Sequence, residues 1–159
     1  MKIERKYLAH YIDVGTQEAE QFVRLGKDLE EFSPELSAQV DVHKNILGES
    51  RVIISGYEKT AAVEPYYAEA NTPLFERLQA IIDKGLVLEE LKTQVVDVKL
   101  WEPGQDLNFA AVCEEAYIEV TSYGGDTNGY RIGFTLHYTG KKRAGSFNLN
   151  SCTFTEEVQ

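Results

Sequence analysis

The chain has 159 residues, with 16 Lys or Arg against 26 Asp or Glu and a formal net charge of −10 at pH 7. A chain of this length buries roughly 70% of its unfolded surface as one domain, and its acid excess disfavours a surface built for DNA phosphates or an anionic bilayer. At 43% hydrophobic and 26% charged residues it has globular rather than disordered composition.

Two cysteines, Cys113 and Cys152, are too few for a disulfide framework. The mixed opening Met1-Lys2-Ile3-Glu4-Arg5-Lys6 lacks the pattern of a secretory leader, so a cytosolic compartment and no membrane partner are expected. No stretch approaches the roughly 20 apolar residues of a membrane span.

In chain order, the first thirty or so residues show little periodicity. They read as an arm or loop, with a flexible N-terminal arm over about residues 1–20 and a short strand at Phe22-Val23-Arg24-Leu25. From Leu36 the pattern sharpens: Leu36, Ala38, Val40 and Val42 alternate with polar residues, the period of a half-buried strand. A second strand is expected at Arg51 to Tyr57. Between them, His43-Lys44-Asn45-Ile46-Leu47-Gly48-Glu49-Ser50 reads as a long hairpin loop over about 43–50, with a turn glycine and two large aliphatics near its tip. Such aliphatics call for a partner. Glu64-Pro65-Tyr66-Tyr67 follows as a short aromatic motif.

A helix is signalled from Thr72, an N-cap residue followed by Pro73 at the first helical position. Leu74, Leu78, Ile81 and Ile82 form its apolar stripe, Glu76, Arg77, Gln79 and Asp83 its wet face, and Gly85 its stop. Leu86 to Leu91 reads as a connection. Beyond Thr93 the chain alternates as β structure. Val96, Val98 and Leu100 mark one strand and Ala116, Ile118 and Val120 the next. After a turn at Gly124 to Gly129, Tyr130 to Tyr138 forms a third. Thr139-Gly140-Lys141-Lys142-Arg143 then reads as a basic turn, with a last strand over Ala144 to Phe154. The expectation is a mainly β (α+β) domain over 1–159, an antiparallel meander of six or so strands with one helix.

Chemical motifs are sparse. Gly124 to Gly129 has the glycine spacing of a phosphate loop, but Tyr130-Arg131 follows where Lys-Ser/Thr is needed. Asp126-Thr127-Asn128-Gly129 resembles the start of a calcium loop without its closing acid. His10, His43 and His137 have no metal-ligand spacing, and Glu114-Glu115 beside Cys113 argues against a reactive thiolate. Adjacent acids such as Glu30-Glu31 face opposite ways in a strand and read as a solvated surface. No catalytic, cofactor-binding or metal-binding residue is assigned, and no cofactor is expected.

The runs Asn45-Ile46-Leu47-Gly48, Gly56-Tyr57-Glu58, Val63-Glu64-Pro65-Tyr66-Tyr67-Ala68 and Pro73-Leu74-Phe75-Glu76-Arg77-Leu78-Gln79 carry a resemblance. So do Ser122 to Tyr130, His137-Tyr138-Thr139-Gly140, Gly145-Ser146-Phe147 and Thr153-Phe154-Thr155. In order and spacing, over roughly residues 24–155, they resemble the major tail protein of siphophages and prophages of Gram-positive bacteria. One departure is Ala144-Gly145-Ser146-Phe147-Asn148, where that family often has Lys-Gly-Thr-Phe-Asp.

The resemblance implies a non-enzymatic virion protein with a β-sandwich or barrel-like tail-tube fold and one flanking helix. It further implies assembly in the host cytoplasm into stacked hexameric rings, the conduit for DNA ejection, with tape measure and tail terminator as partners. DNA passes without specific binding, consistent with an acidic duct. The expected ring-stacking surface is His43, Lys44, Asn45, Ile46, Leu47 and Gly48, and the expected subunit contact is Tyr66 and Tyr67. Open sheet edges offer a route from subunit to subunit. The alternative from the residues alone is a small β-barrel module that binds a ligand or host protein through its aromatic surface.

Overall fold

In the computed structural model of the chain, the residues described are 1–15, 18–102 and 104–157, with Glu64 described by its backbone. They form nine β-strands and one α-helix: β1 (Leu8–Asp13), β2 (Phe22–Leu25), β3 (Ala38–Lys44), β4 (Ser50–Tyr57), β5 (Thr60–Tyr67), α1 (Pro73–Lys84), β6 (Lys92–Lys99), β7 (Asn108–Asp126), β8 (Gly129–Asn148) and β9 (Thr153–Glu156). Seven strands make one antiparallel sheet in the order β2-β1-β6-β7-β8-β5, with β9 added along the C-terminal half of β8. The chain leaving β2 comes round to β5: Leu29 bridges Tyr66, and Tyr67 N–H donates to the Asp28 carbonyl at 3.2 Å. The sheet is thereby curled back on itself into the barrel-like architecture expected. β3 and β4 stand apart as a two-stranded ribbon.

The curled sheet is buried on both faces over much of its length. One face, covered by α1, holds Ile12, Leu25, Val63, Leu78, Ile118, Phe134 and Leu136. The other holds Ala9, Tyr11, Phe22, Val96, Val98, Cys113 and Phe147, with the Tyr11 and Phe147 rings 4.3 Å apart. This double burial corrects the reading of residues 1–20 as a flexible arm. β1 pairs β2 on one side and β6 on the other, and Ala9, His10, Tyr11 and Ile12 are all buried. A strand packed on both faces loses the alternation that reveals a half-buried one. Residues 16 and 17 of that stretch lie outside the described residues.

The helix forms where its signals place it. Leu74, Leu78 and Ile81 face the core, and Gly85 closes it in the left-handed region at φ 60°. The Thr72 hydroxyl, however, donates to the Glu69 carbonyl at 2.7 Å instead of capping the helix. Arg77 is not a solvated side chain either. Its guanidinium donates to the carbonyls of Gly15, Glu90 and Lys92 at 3.0–3.1 Å and pins the helix to the sheet.

Two further corrections concern the C-terminal third. Thr139 to Arg143 is not a turn: β8 runs through it as a 20-residue strand, opposite the 19 residues of β7. A register shift between Glu114 and Ala116 bends this long hairpin at that level. The chain turns only after Asn148, whose side-chain oxygen accepts from the backbone N–H groups of Asn150 and Ser151 at 2.9 Å, so the last strand is the short β9. The Glu64 to Tyr67 motif ahead of the helix forms the end of β5.

Candidate assembly surface

The ribbon is the feature with the least support from its own chain. Every residue of β3 is exposed, and β4 is exposed apart from Ile53 and Gly56. This corrects the half-buried strand expected from the alternation at Leu36 to Val42. Alternation is present, but the described residues leave the apolar side more than half exposed. At seven paired residues in β3, the ribbon reaches roughly 23 Å from its root.

Register defines its two faces. Val40 pairs Ile54 and Val42 pairs Val52, so the four β-branched side chains share one face. Asp41 with Ile53 and His43 with Arg51 lie on the other. Ala38 and Tyr57, paired at the root, extend the apolar face across the bulge between Gln39 and Val40. Val40, Val42, Val52, Ile54 and Tyr57 are each 53–61% exposed. Two strands alone are marginal in water, and fully covering one Val or Ile is worth roughly 1.5–3 kcal/mol. The ribbon is therefore a surface that gains stability when another body covers it.

The tip is built by Asn45. Its side-chain oxygen accepts the N–H groups of Leu47 and Glu49, both at 3.0 Å, and its carbonyl accepts Gly48 N–H at 3.1 Å. Gly48 takes φ 83°, which a β-carbon resists. This rigid turn holds Ile46 and Leu47 outward, Ile46 fully exposed and Leu47 nearly so. Of the residues expected to stack rings, Asn45, Ile46, Leu47 and Gly48 thus form one tip. His43 and Lys44 lie below it on strand β3, His43 on the polar face and Lys44 on the apolar one. Sequence reading missed the apolar ladder beneath them, although Val52 and Ile54 on the second strand repeat the spacing of Val40 and Val42.

Tyr66 and Tyr67 are separated by the fold. Tyr66 is buried beside Phe134, their rings edge to face at 6.2 Å, and so packs within its own protomer. Tyr67 is half-buried and pairs Arg131. The available sheet edges are also fewer than expected. Leu29, just past β2, draws that end of the sheet onto β5 through a single bridge to Tyr66; among the described residues the outer edges of β2 and β9, and the edge of the Ile118–Asp126 arm of β7 turned away from β8, have no strand partner.

The other sequence candidates resolve into structure. Asp126 accepts Asn128 N–H at 2.8 Å and pairs Arg131 at 3.1 Å, so the acidic turn holds its own hairpin. His137 contacts Glu119 on the neighbouring strand. Cys113 is buried, and burial pushes its thiol up despite the Arg143 guanidinium at 3.5 Å, which opposes the shift. His10 is buried, its ring hydrogen-bonded to Arg5 and Asp97. Among the described residues there is no group of three metal-ligating side chains, and no helix is long and apolar enough to cross a membrane.

The curled antiparallel sheet with one flanking helix matches the fold of solved tail structures. The chain is similar in structure to the SPP1 tail tube, with a TM-score of 0.66 at 12% identity over 99% of this chain and 81% of that one. It is also similar to the tail of an empty GTA particle refined with helical C6 symmetry, with a TM-score of 0.59 at 14% identity over 97% of this chain and 99% of that one. No family model matches the sequence, and no curated protein matches it.

Proposed function

We propose that this chain is the tail-tube protein of a siphophage or prophage of Gram-positive bacteria, a structural virion protein assembled in the host cytoplasm. Its subunits form hexameric rings, and the rings stack into the conduit for DNA ejection. The observation that carries this reading is the ribbon: a strand pair with an exposed apolar ladder and an aliphatic tip held by Asn45, on a fold similar to those of two tails. In this reading the tip, Asn45 to Gly48, reaches the adjacent ring, and the Val40, Val42, Val52 and Ile54 face is covered by that ring. Ring closure uses the free edges of β9 and β7, a heterologous contact that closes by rotation. Tape measure and terminator proteins bound the tube. The net charge of −10 suits a duct that repels the polyanion passing through it.

The test is polymerisation of Ile46→Asp and Leu47→Asp, followed by sedimentation and light scattering. A buried aspartate at the tip is expected to suppress assembly while the melting temperature of the protomer stays within about 2 °C of wild type. A variant that assembles as wild type removes the tip from the interface.

A further inference from the structure

The exposed ribbon needs a fixed direction if it is to meet a neighbour. We propose that a connected chain of polar side chains, running from the exposed Arg5 through His10, Asp97 and Lys59 to Glu114, with His10 and Glu114 buried, is the device that aims it, gripping both of its roots. The inference rests on the ribbon being the contact between rings.

The Arg5 guanidinium donates to the Leu8 carbonyl at 2.8 Å, to the Phe32 carbonyl at 2.9 Å and to His10 Nε2 at 2.9 Å. A guanidinium offers donors only, so Nε2 is the accepting nitrogen and the ring proton sits on Nδ1. That proton points at Asp97 Oδ1, 2.6 Å away. The second oxygen of Asp97 lies 3.9 Å from Lys59 Nζ, which donates to Glu114 Oε1 at 2.9 Å. The chain thus runs from the N-terminal segment through β1 and β6 to the start of β5 and across to β7.

Its two ends coincide with the two roots of the ribbon. Phe32, held by Arg5 and packed against the His10 ring at 4.6 Å, lies on the segment leading into β3. Lys59 is on the segment leaving β4. The roots are latched to each other by paired bonds between Glu35 and Thr60, at 2.7 and 3.0 Å, and by Glu58 N–H to the Ser37 carbonyl at 3.1 Å. The ion chain then ties the latched pair to the barrel.

Stability alone does not account for a buried histidine and a buried glutamate linked through Asp97 and Lys59 at one place, because well-packed apolar residues of similar volume serve stability equally well or better. Geometry supplies the reason. Over a ribbon of about 23 Å, a tilt of roughly 10° at the root moves the tip by about 4 Å. Interfaces packed at interior density do not absorb such a displacement.

The experiment uses Arg5→Met, since Arg5 is exposed and its loss leaves the barrel core intact. Spin labels at Glu49→Cys and Glu76→Cys, in a Cys152→Ser background, report the distance from the ribbon tip to α1 in the monomer; both label sites are exposed and Cys113 is buried. Arg5→Met without labels is assayed for assembly. The expected result is a distance distribution at least twofold broader at unchanged melting temperature, a critical concentration at least tenfold higher, and partial recovery of both with Arg5→Lys. Wild-type breadth, or a broadened distribution with unchanged assembly, overturns the proposal. Val42→Asp, run in parallel, separates the two readings. If it assembles normally, the ribbon is not the contact. If it fails while Arg5→Met keeps wild-type breadth and assembly, the contact stands and the aiming device falls.

Discussion

Lys59 Nζ lies 2.9 Å from Glu114 Oε1, with only 14% and 4% of the two side chains exposed. The ammonium also sits 3.9 Å from Asp97 Oδ2 and 4.4 Å from the centre of the Tyr138 ring, so it has replaced most of its water with two carboxylates and one aromatic face. Removing one partner strands the other. Lys59→Met is expected to lower stability by about 3 kcal/mol, measured by urea unfolding. Lys59→Met with Glu114→Leu is expected to recover most of that loss, since the pair leaves together.

The Tyr138 hydroxyl is buried without a hydrogen-bond partner, and burial, reinforced by Asp97 and Glu114, pushes its pKa well above the ordinary tyrosine value. Tyr138→Phe removes an unsatisfied polar atom and is expected to be neutral or stabilising by up to roughly 1–3 kcal/mol. The sign of the pH effect follows from the raised value. The folded state holds this proton more tightly than the unfolded one, so the contribution is complete below the ordinary value of 10.0 and is lost as pH rises above it. Thermal melts between pH 8 and 11 are expected to show alkaline destabilisation in wild type, with a shallower slope in Tyr138→Phe.

Tyr66 tests whether an aromatic pair marks a contact or a core. Because its ring is 3% exposed and meets Phe134 edge to face, Tyr66→Ala is expected to cost about 3–5 kcal/mol of protomer stability. The fraction that remains folded should still assemble. Chemical denaturation and pelleting of the same sample give both readouts. A stable protomer that fails to assemble would reassign Tyr66 to the interface.

On the apolar ladder, Val42→Asp and Ile54→Asp are expected to abolish polymerisation with less than about 0.5 kcal/mol change in protomer stability, the usual range for exposed positions. Arg51→Ala, on the opposite face, is expected to have a smaller effect. Sedimentation across a concentration series orders the three.

What was legible in the sequence follows the physics of each element. The helix declared itself because Pro73, the Leu74-Leu78-Ile81 stripe and Gly85 act within one segment. The ribbon tip declared itself because Ile46 and Leu47 flank a turn glycine. β1 did not, because His10 and Asp13 break its apolar run: the His10 ring is satisfied by Asp97, far away in sequence, and the Asp13 carboxylate by the N–H groups of Gly15 and Gln21 beyond the strand's end. Gly140, Lys141 and Lys142 imitate a turn, yet β8 only bulges there, opposite Glu115: Ala116 pairs Tyr138 before the bulge and Glu114 pairs Lys142 after it, a register set by partners distant in sequence. Alternation at Val40 and Val42 specified a face but not whether the protomer covers it, and both residues are exposed. Tyr66 and Tyr67 were indistinguishable as neighbours, and only the strand pleat separates them.

The most direct test of the account is negative-stain electron microscopy of the purified chain across a concentration series, with light scattering for mass, repeated with a tail initiator complex added. The account predicts rings at low concentration and hollow tubes of uniform width at high concentration or on initiation. A monomer at every concentration, with and without the initiator, would contradict it.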